Sequence, residues 1–278
     1  MNKYKKVFEK YDQLNLLEKA FLRHFCYFPP KPRRNRAQHQ FKPLNHYQKV
    51  YENAFGEDLW KKIANKKVLD FGCGDGCFVL GMANKVPNAD ILGVDLLPHI
   101  ELGQNYALSN KINNASFYKG HSKNLPSDTY DVIISHDSFE HFEYPDYILS
   151  EMHRLLKKNG LLLIKFGPTW MGPYGRHMSG TIRKDRPWCH LLFPESTIMR
   201  VHSVYHNKKE LHTEYRNLEG GLNRMTIKKF ENLIRQSEFS LKTLKVHPLY
   251  NQKWLTAMPI PIIKELFSIA LSAVLIKK

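Results

Sequence analysis

Lys67–Cys77 reads K-V-L-D-F-G-C-G-D-G-C, and the reading of this stretch decides the fold. Val68, Leu69 and Phe71 form a short apolar run of β character. Gly72, Gly74 and Gly76 follow at alternate positions, and Phe78, Val79, Met82 and Ala83 then recur with helical spacing. The order is strand, glycine turn, helix. Glycines let the backbone turn sharply and a ligand approach where a Cβ would obstruct it. The helix start behind them is expected to offer unpaired N–H groups and a positive dipole end. Such a unit forms the nucleotide-binding corner of a doubly wound α/β sheet.

A second half supports this reading. Ile91–Val94 is another apolar run, and it ends at Asp95. An acid about 20 residues past the glycines, at the end of the second strand, can accept hydrogen bonds from ribose hydroxyls. The spacing is G-x-G-x-G preceded by Asp70, which departs from the dinucleotide pattern G-x-G-x-x-G.

V-L-D-F-G-C-G-D-G resembles the first motif of class I S-adenosylmethionine (SAM) dependent methyltransferases, of the methyltransferase type 11 kind. The resemblance implies a loop of Gly72, Cys73, Gly74 and Gly76 against the methionine part of SAM. It implies that Asp70 holds the amino group and that Asp95, with Leu96 beside it, holds the ribose end. It also implies a Rossmann-like doubly wound seven-stranded sheet, mostly parallel with the last strand antiparallel, with N-terminal helices and a lid insertion after strand five.

The remaining segments fit that plan. Residues 100–110 read as a helix and Ser116–Lys119 as a third strand. His121 then stands where the family often has an acid next to the adenine, so Ser122 or the backbone is the alternative contact. Y-D-V-I-I-S at 130–135 is a buried strand, followed by H-D-S-F-E-H-F. The Glu140–His141 pair resembles the family's segment after strand four. Ser135, His136 and Asp137 are expected at the ligand crevice, because the carboxyl ends of parallel strands face it. A helix is expected over 145–158, stopped by Gly160, then a strand over 161–166. Helix 226–234, strand 240–247, helix 262–267 and strand 270–276 complete the core. The match runs from Val68 to Phe166.

Residues 1–66 read as an N-terminal helical extension, with helices over 1–28 and 45–64 and a basic linker, P-P-K-P-R-R-N-R, at 29–36. Residues 67–278 form the SAM-binding domain, with 167–225 inserted on the acceptor side. The insertion holds G-P-T-W-M-G-P-Y-G-R-H-M and R-P-W-C-H-L-L-F-P-E. Long aromatic, Gly/Pro-rich connections in that position form lids or binding loops. The arrangement is similar to bacterial methyltransferases linked to cell-surface glycan synthesis. Candidate bases are His177, then His190, with His136 and Glu195 behind them. Histidine suits proton removal near neutral pH. A structural role competes at each position.

Composition bounds the rest. The chain has 278 residues, 42% hydrophobic and 24% charged, with a formal charge of +16 and a pI near 9.6. The charge points to an anionic partner (a phosphorylated substrate, RNA or a membrane surface) or to a basic solvated surface. Cys26, Cys73, Cys77 and Cys189 make no C-x-x-C pair, which fits neither a disulfide framework nor a zinc site. His202 and His206 have H-x-x-x-H spacing, but no third ligand is evident, so no metal is expected. The N-terminus carries no secretory signal pattern. Met258–Ile276 is apolar but broken by Pro259, Pro261, Lys264 and Glu265, so no transmembrane segment is expected. The expected place is the cytoplasm, with peripheral membrane association as the alternative.

The leading reading is a SAM-dependent O-methyltransferase of a small-molecule or glycan-type acceptor, releasing S-adenosylhomocysteine. The alternatives are an RNA or tRNA methyltransferase and a catalytically silent SAM-binding partner protein. The sequence does not fix the oligomeric state.

Overall fold

The computed structural model describes residues 3–31, 40–218, 220–249 and 260–278. The chain divides into two compact units. The first comprises residues 1–39, 168–226 and 248–269, and the second residues 40–167, 227–247 and 270–278.

The second unit holds the sheet. Its strands are β1 (Lys67–Phe71), β2 (Asp90–Asp95), β3 (Ala115–Lys119), β4 (Tyr130–His136), β5 (Leu156–Phe166), β6 (Phe239–Pro248) and β7 (Ser268–Lys277), in the order 3-2-1-4-5-7-6. Strands β1 to β5 pair in parallel. Strand β7 runs antiparallel to β5, with Leu161 opposite Ile276 and Phe166 opposite Leu271. This is the Rossmann-like doubly wound sheet that the glycine loop implies. Val68, Leu69, Ile133, Ile134, Leu162 and Leu163 are all fully buried. Central parallel strands are covered on both faces, so their sequences are continuous apolar runs. Each such side chain contributes roughly 1.5–3 kcal/mol by leaving water. Strand order reverses between β1 and β4, and that switch point is where such sheets bind ligands.

Helices α2 (Leu44–Phe55), α3 (Leu59–Ile63), α4 (Cys77–Lys85), α5 (Ile100–Ser109), α6 (Pro145–Leu155) and α9 (Ile227–Gln236) belong to this unit. Tyr51, Phe55, Leu59 and Ile63 share a core with Val68, Val79, Met82 and Ile91. In the first unit, α1 (Leu16–Phe25) packs against α8 (Glu195–Tyr205), with Phe8, Phe21 and Leu22 in one core with Ile198, Met199 and Val204. Short helices α7 (Cys189–Leu192) and α10 (Pro261–Leu266) complete it.

Several boundaries differ from expectation. The helix over 45–64 is two helices, because Gly56 at φ +89° ends α2. The helix over 1–28 is reduced to α1, which starts at a reciprocal Asn15–Glu18 capping box. Helix α6 stops at Leu155 rather than 158, and β5 starts at Leu156 rather than 161. Leu156 is fully buried and pairs with Tyr130, so the strand begins there. Gly160 lies in an irregularity of β5, not at a helix end: Tyr130 and Val132 face Leu156 and Leu161. His202 lies within α8, a region the sequence did not mark clearly as helical.

Residues 32–36 of the basic linker and Met258–Pro259 of the apolar stretch lie outside the described residues. No described helix is long and apolar enough to cross a membrane. Charge divides unevenly along the sequence. Of 42 Lys and Arg, 21 fall in each unit, but of 26 Asp and Glu only 9 fall in the first and 17 in the second. The first unit therefore carries +12 of the formal +16.

Candidate cofactor site and candidate active-site residues

The glycine loop is tied to the end of β2. The N–H groups of Gly72 and Cys73 both donate to the Val94 carbonyl, at 2.9 and 3.1 Å. The N–H of Gly74 donates to Asp95 Oδ2 at 2.8 Å, and the other oxygen, Oδ1, accepts from Leu97 N at 2.8 Å. Asp95 thus fixes the loop and its own strand end, with acceptor capacity remaining on both oxygens. The start of α4 is less open than expected. Gly76 N donates to the Cys73 carbonyl and Cys77 N to Asp75 Oδ1, so a local turn uses these amides. A loop whose amides are engaged in this way suits a ligand without a pyrophosphate.

Gly74 is the loop glycine with open space beside it. Its φ is +59°, and a Cβ built on it meets nothing within 4 Å, which leaves one face open to a ligand. Gly76 differs: its φ is +81°, and a Cβ would lie 2.4 Å from Phe117 Cε1. Cys73 is buried, with Sγ filling the space beside Gly93.

Asp70, near the carboxyl end of β1, is 2% exposed. Burial first, then the charges of Asp95 and Asp75, push its carboxyl up to about 8. A cationic group placed beside it would reverse that shift. Tyr51 of α2 lies within the field of Asp70, and its buried hydroxyl has no hydrogen-bond partner. Neither ring nitrogen of His136 has one. The His136 ring packs against Phe78 at 4.2 Å and Tyr51 at 5.3 Å. Burial holds His136 neutral, down to about 4, so Asp137 Oδ2 at 3.5 Å from Nδ1 is not an ion pair at neutral pH. Buried polar atoms are normally paired. The orphaned Tyr51 hydroxyl within the field of the buried acid fits a small polar ligand such as the amino-acid end of SAM.

The other expected cofactor residues are spread along the same strand ends. Leu96, 58% exposed, stands next to Asp95, an apolar surface for a flat ring. His121 is exposed after β3, and Ser122 Oγ donates to Glu151 Oε2 at 3.2 Å. Ser135 is fully buried, with Oγ 2.8 Å from Ser138 Oγ. Its hydroxyl fixes the turn after β4, since Ser138 Oγ also donates to the Phe71 carbonyl. Glu140 is buried and raised to about 8, by burial first and by Asp137 second, and Gly167 N donates to its Oε1 at 3.2 Å.

His177, His190 and Glu195 lie in the first unit. His177 has φ +56° and its Nε2 lies 2.9 Å from the Pro168 carbonyl. His190 Nε2 lies 2.7 Å from the Trp170 carbonyl, which leaves Nδ1 as the basic nitrogen. Glu195 accepts from Tyr215 N and pairs with Arg224 Nη1 at 2.9 Å, so both its oxygens are engaged. In α8 the rings of His202 and His206 are 4.5 Å apart, and His206 Nε2 lies 2.7 Å from Thr181 Oγ1. The four cysteines are free thiols.

Tyr51 was invisible as a site residue in the sequence. It sits among apolar helical positions and reads as core; only the missing partner of its hydroxyl sets it apart.

The geometry defines a class I SAM-dependent methyltransferase fold. Residues 62–233 match the family described as "Methyltransferase domain", and the chain belongs to that family. It is 30% identical over 113 residues to malonyl-[acyl-carrier protein] O-methyltransferase of Paenibacillus sp., covering 38% of this chain and 41% of that one. It is 30% identical over 137 residues to ubiquinone biosynthesis O-methyltransferase of Pelagibacter ubique, covering 45% and 55%. The chain thus spans about half the length of these curated relatives, or less. The solved structure of coclaurine N-methyltransferase, bound to N-methylheliamine and S-adenosylhomocysteine, has the same fold, with a TM-score of 0.53 at 15% identity, covering 100% of this chain and 89% of that one.

Proposed function

We propose that the protein binds SAM at the Gly72–Gly76 loop and Asp95, and transfers its methyl group to an oxygen of a small-molecule or glycan-type acceptor. The observation that carries this is the Gly74–Asp95 contact: an open glycine face next to a strand-end carboxylate. Asp95 would accept the ribose hydroxyls, and Leu96 would cover the base. Asp70 would bind the ammonium and Tyr51 the carboxylate of the amino-acid end. Bound SAM supplies a methyl group already activated by its sulfonium.

The chain's own task is then to place the acceptor in line, exclude water and receive a proton. Positioning supplies much of the acceleration in such reactions. His177, His190 and His136 are the candidate bases. Burial lowers His136 and His190 to about 4, so both rings are neutral at pH 7 but weaker bases than an ordinary imidazole, which keeps His177 first. Glu195 is tied into the fold and ranks last.

The concentration of positive charge in the first unit favours a second reading, an RNA or tRNA methyltransferase. The assay that separates the readings follows S-adenosylhomocysteine release from SAM with hydroxyl acceptors, glycans and RNA in turn. Release with a small hydroxyl acceptor supports the first reading. Release with RNA alone, falling steeply with salt, supports the second. SAM binding without release in any case would indicate the silent partner protein.

A further inference from the structure

The interior of the first unit holds a charge that methyl transfer from SAM does not require. Arg176 is 2% exposed. Its Nη1 donates to the Pro173 carbonyl at 2.9 Å and its Nη2 to the Arg183 carbonyl at 3.3 Å, while Nε has no hydrogen-bond partner. Among the described residues no carboxylate pairs with it. Its Cζ also lies over the Tyr174 ring, 5.6 Å from the centroid, which carries no countercharge. A buried guanidinium held by carbonyl oxygens and a ring face keeps its full charge, which the interior strongly disfavours.

Its neighbours do not neutralise it. Cys26 and Cys189 lie within its field, but burial, the largest cause at both, raises each thiol and keeps it protonated. The remaining neighbours are polar and incomplete. Tyr215 is 1% exposed and its hydroxyl has no partner; His190 is 5% exposed and its Nδ1 has none. Both feel the Arg176 charge. Trp170 lies against both, its ring 4.9 Å from His190 and 5.0 Å from Tyr215. Its carbonyl accepts the hydrogen bond of His190 Nε2–H at 2.7 Å, which leaves Nδ1 as the open nitrogen. A water molecule could satisfy the Nε–H but would leave the charge.

We propose that Arg176, Tyr215 and His190 form a binding site for an oxyanion, the carboxylate or phosphate group of a small ligand. The guanidinium Nε–H and the Tyr215 hydroxyl donate to it, and His190 Nδ1 takes up a proton to become a third donor. Charge-assisted bonds of this kind are the strong ones. Anion binding here is independent of methyl transfer.

The test uses the full chain, titrated calorimetrically with inorganic phosphate and, separately, with malonate, at constant ionic strength set by chloride. The NMR titration of the His190 ring is followed with and without each anion. Saturable binding of one anion is expected, weakened about tenfold by Tyr215→Phe, as loss of one donor to a charged group implies. The His190 pKa should rise in the same titration. Arg176→Gln should abolish binding; if that variant does not fold, Tyr215→Phe and the histidine titration decide. Which anion binds separates phosphate from carboxylate. No saturable binding of either, or binding that Tyr215→Phe leaves unchanged with His190 unmoved, overturns the proposal. Tyr215→Phe should bind SAM as the wild type does. A protein that binds phosphate but not SAM would sink the cofactor reading and leave this site standing.

Discussion

The amide of Gly74 donates a 2.8 Å hydrogen bond to the carboxylate of Asp95, across 21 residues of chain. The two halves of the sequence signature are therefore one physical object. The glycine supplies the open face, and the acid holds the loop in place with one lone pair while keeping others for a ligand.

Substitution at Asp95 should therefore have two separable effects. Asp95→Ala removes both amide bonds and should cost the fold about 1–3 kcal/mol. Asp95→Asn keeps one acceptor oxygen and should cost less. Both should weaken SAM binding more than tenfold. Urea denaturation and calorimetry on the same samples separate the two effects.

The glycines should not be equivalent. Gly76→Ala puts a Cβ 2.4 Å from Phe117 at φ +81° and should destabilise the fold by about 2–4 kcal/mol. Gly74→Ala meets no atom and should cost only about 1–2 kcal/mol for its left-handed backbone. Its main effect should be on affinity, because the new methyl stands on the open face. Equal stability loss in the two variants would contradict this division.

Asp70 makes the site pH-dependent. Its folded pKa of about 8 lies above the ordinary 3.8, so between these values the folded protein holds a proton that the unfolded chain has lost. Its contribution to stability therefore falls as pH rises through that window and is lowest above 8. Asp70→Asn should melt higher than wild type at pH 8.5 and much like it near pH 4. If the ammonium of SAM binds here, it favours the ionised carboxylate, and binding at pH 7 should release a proton. Calorimetry in two buffers of different ionisation enthalpy measures that release, and Asp70→Asn should remove it.

Tyr51→Phe tests the orphaned hydroxyl. A structural hydroxyl costs about 1 kcal/mol or more when removed, whereas an unpaired one costs nothing. Thermal melts without ligand should show Tyr51→Phe as stable as wild type or slightly more so. SAM affinity should fall. A large loss of stability with unchanged affinity would mark the hydroxyl as part of the fold.

The fold was legible because its signals are local. The short runs Val68–Phe71, Ile91–Val94 and 130–135 read as covered strands, and glycines at alternate positions from Gly72 announce the turn after the first. Boundaries were less legible where tertiary contact overrides local preference. Gly160 reads as a helix stop, yet the burial of Leu156 against Tyr130 starts the strand earlier. The site was half legible. Asp70, Gly74 and Asp95 stand in the motif and meet in space. Tyr51 and Arg176 carry no motif, and their roles rest on a missing hydrogen-bond partner, which only three-dimensional structure shows. Charge behaved similarly: the sequence gives its sum, and the concentration of +12 in one unit appears only with the division of the chain.

The most direct test of the central claim is calorimetric titration of wild type and Asp95→Ala with SAM, S-adenosylhomocysteine and NAD. Saturable binding of the first two at one site, no binding of NAD, and loss of both in Asp95→Ala is the expected result. A folded wild-type protein that binds neither SAM nor S-adenosylhomocysteine, or an Asp95→Ala variant that binds them normally, would contradict it.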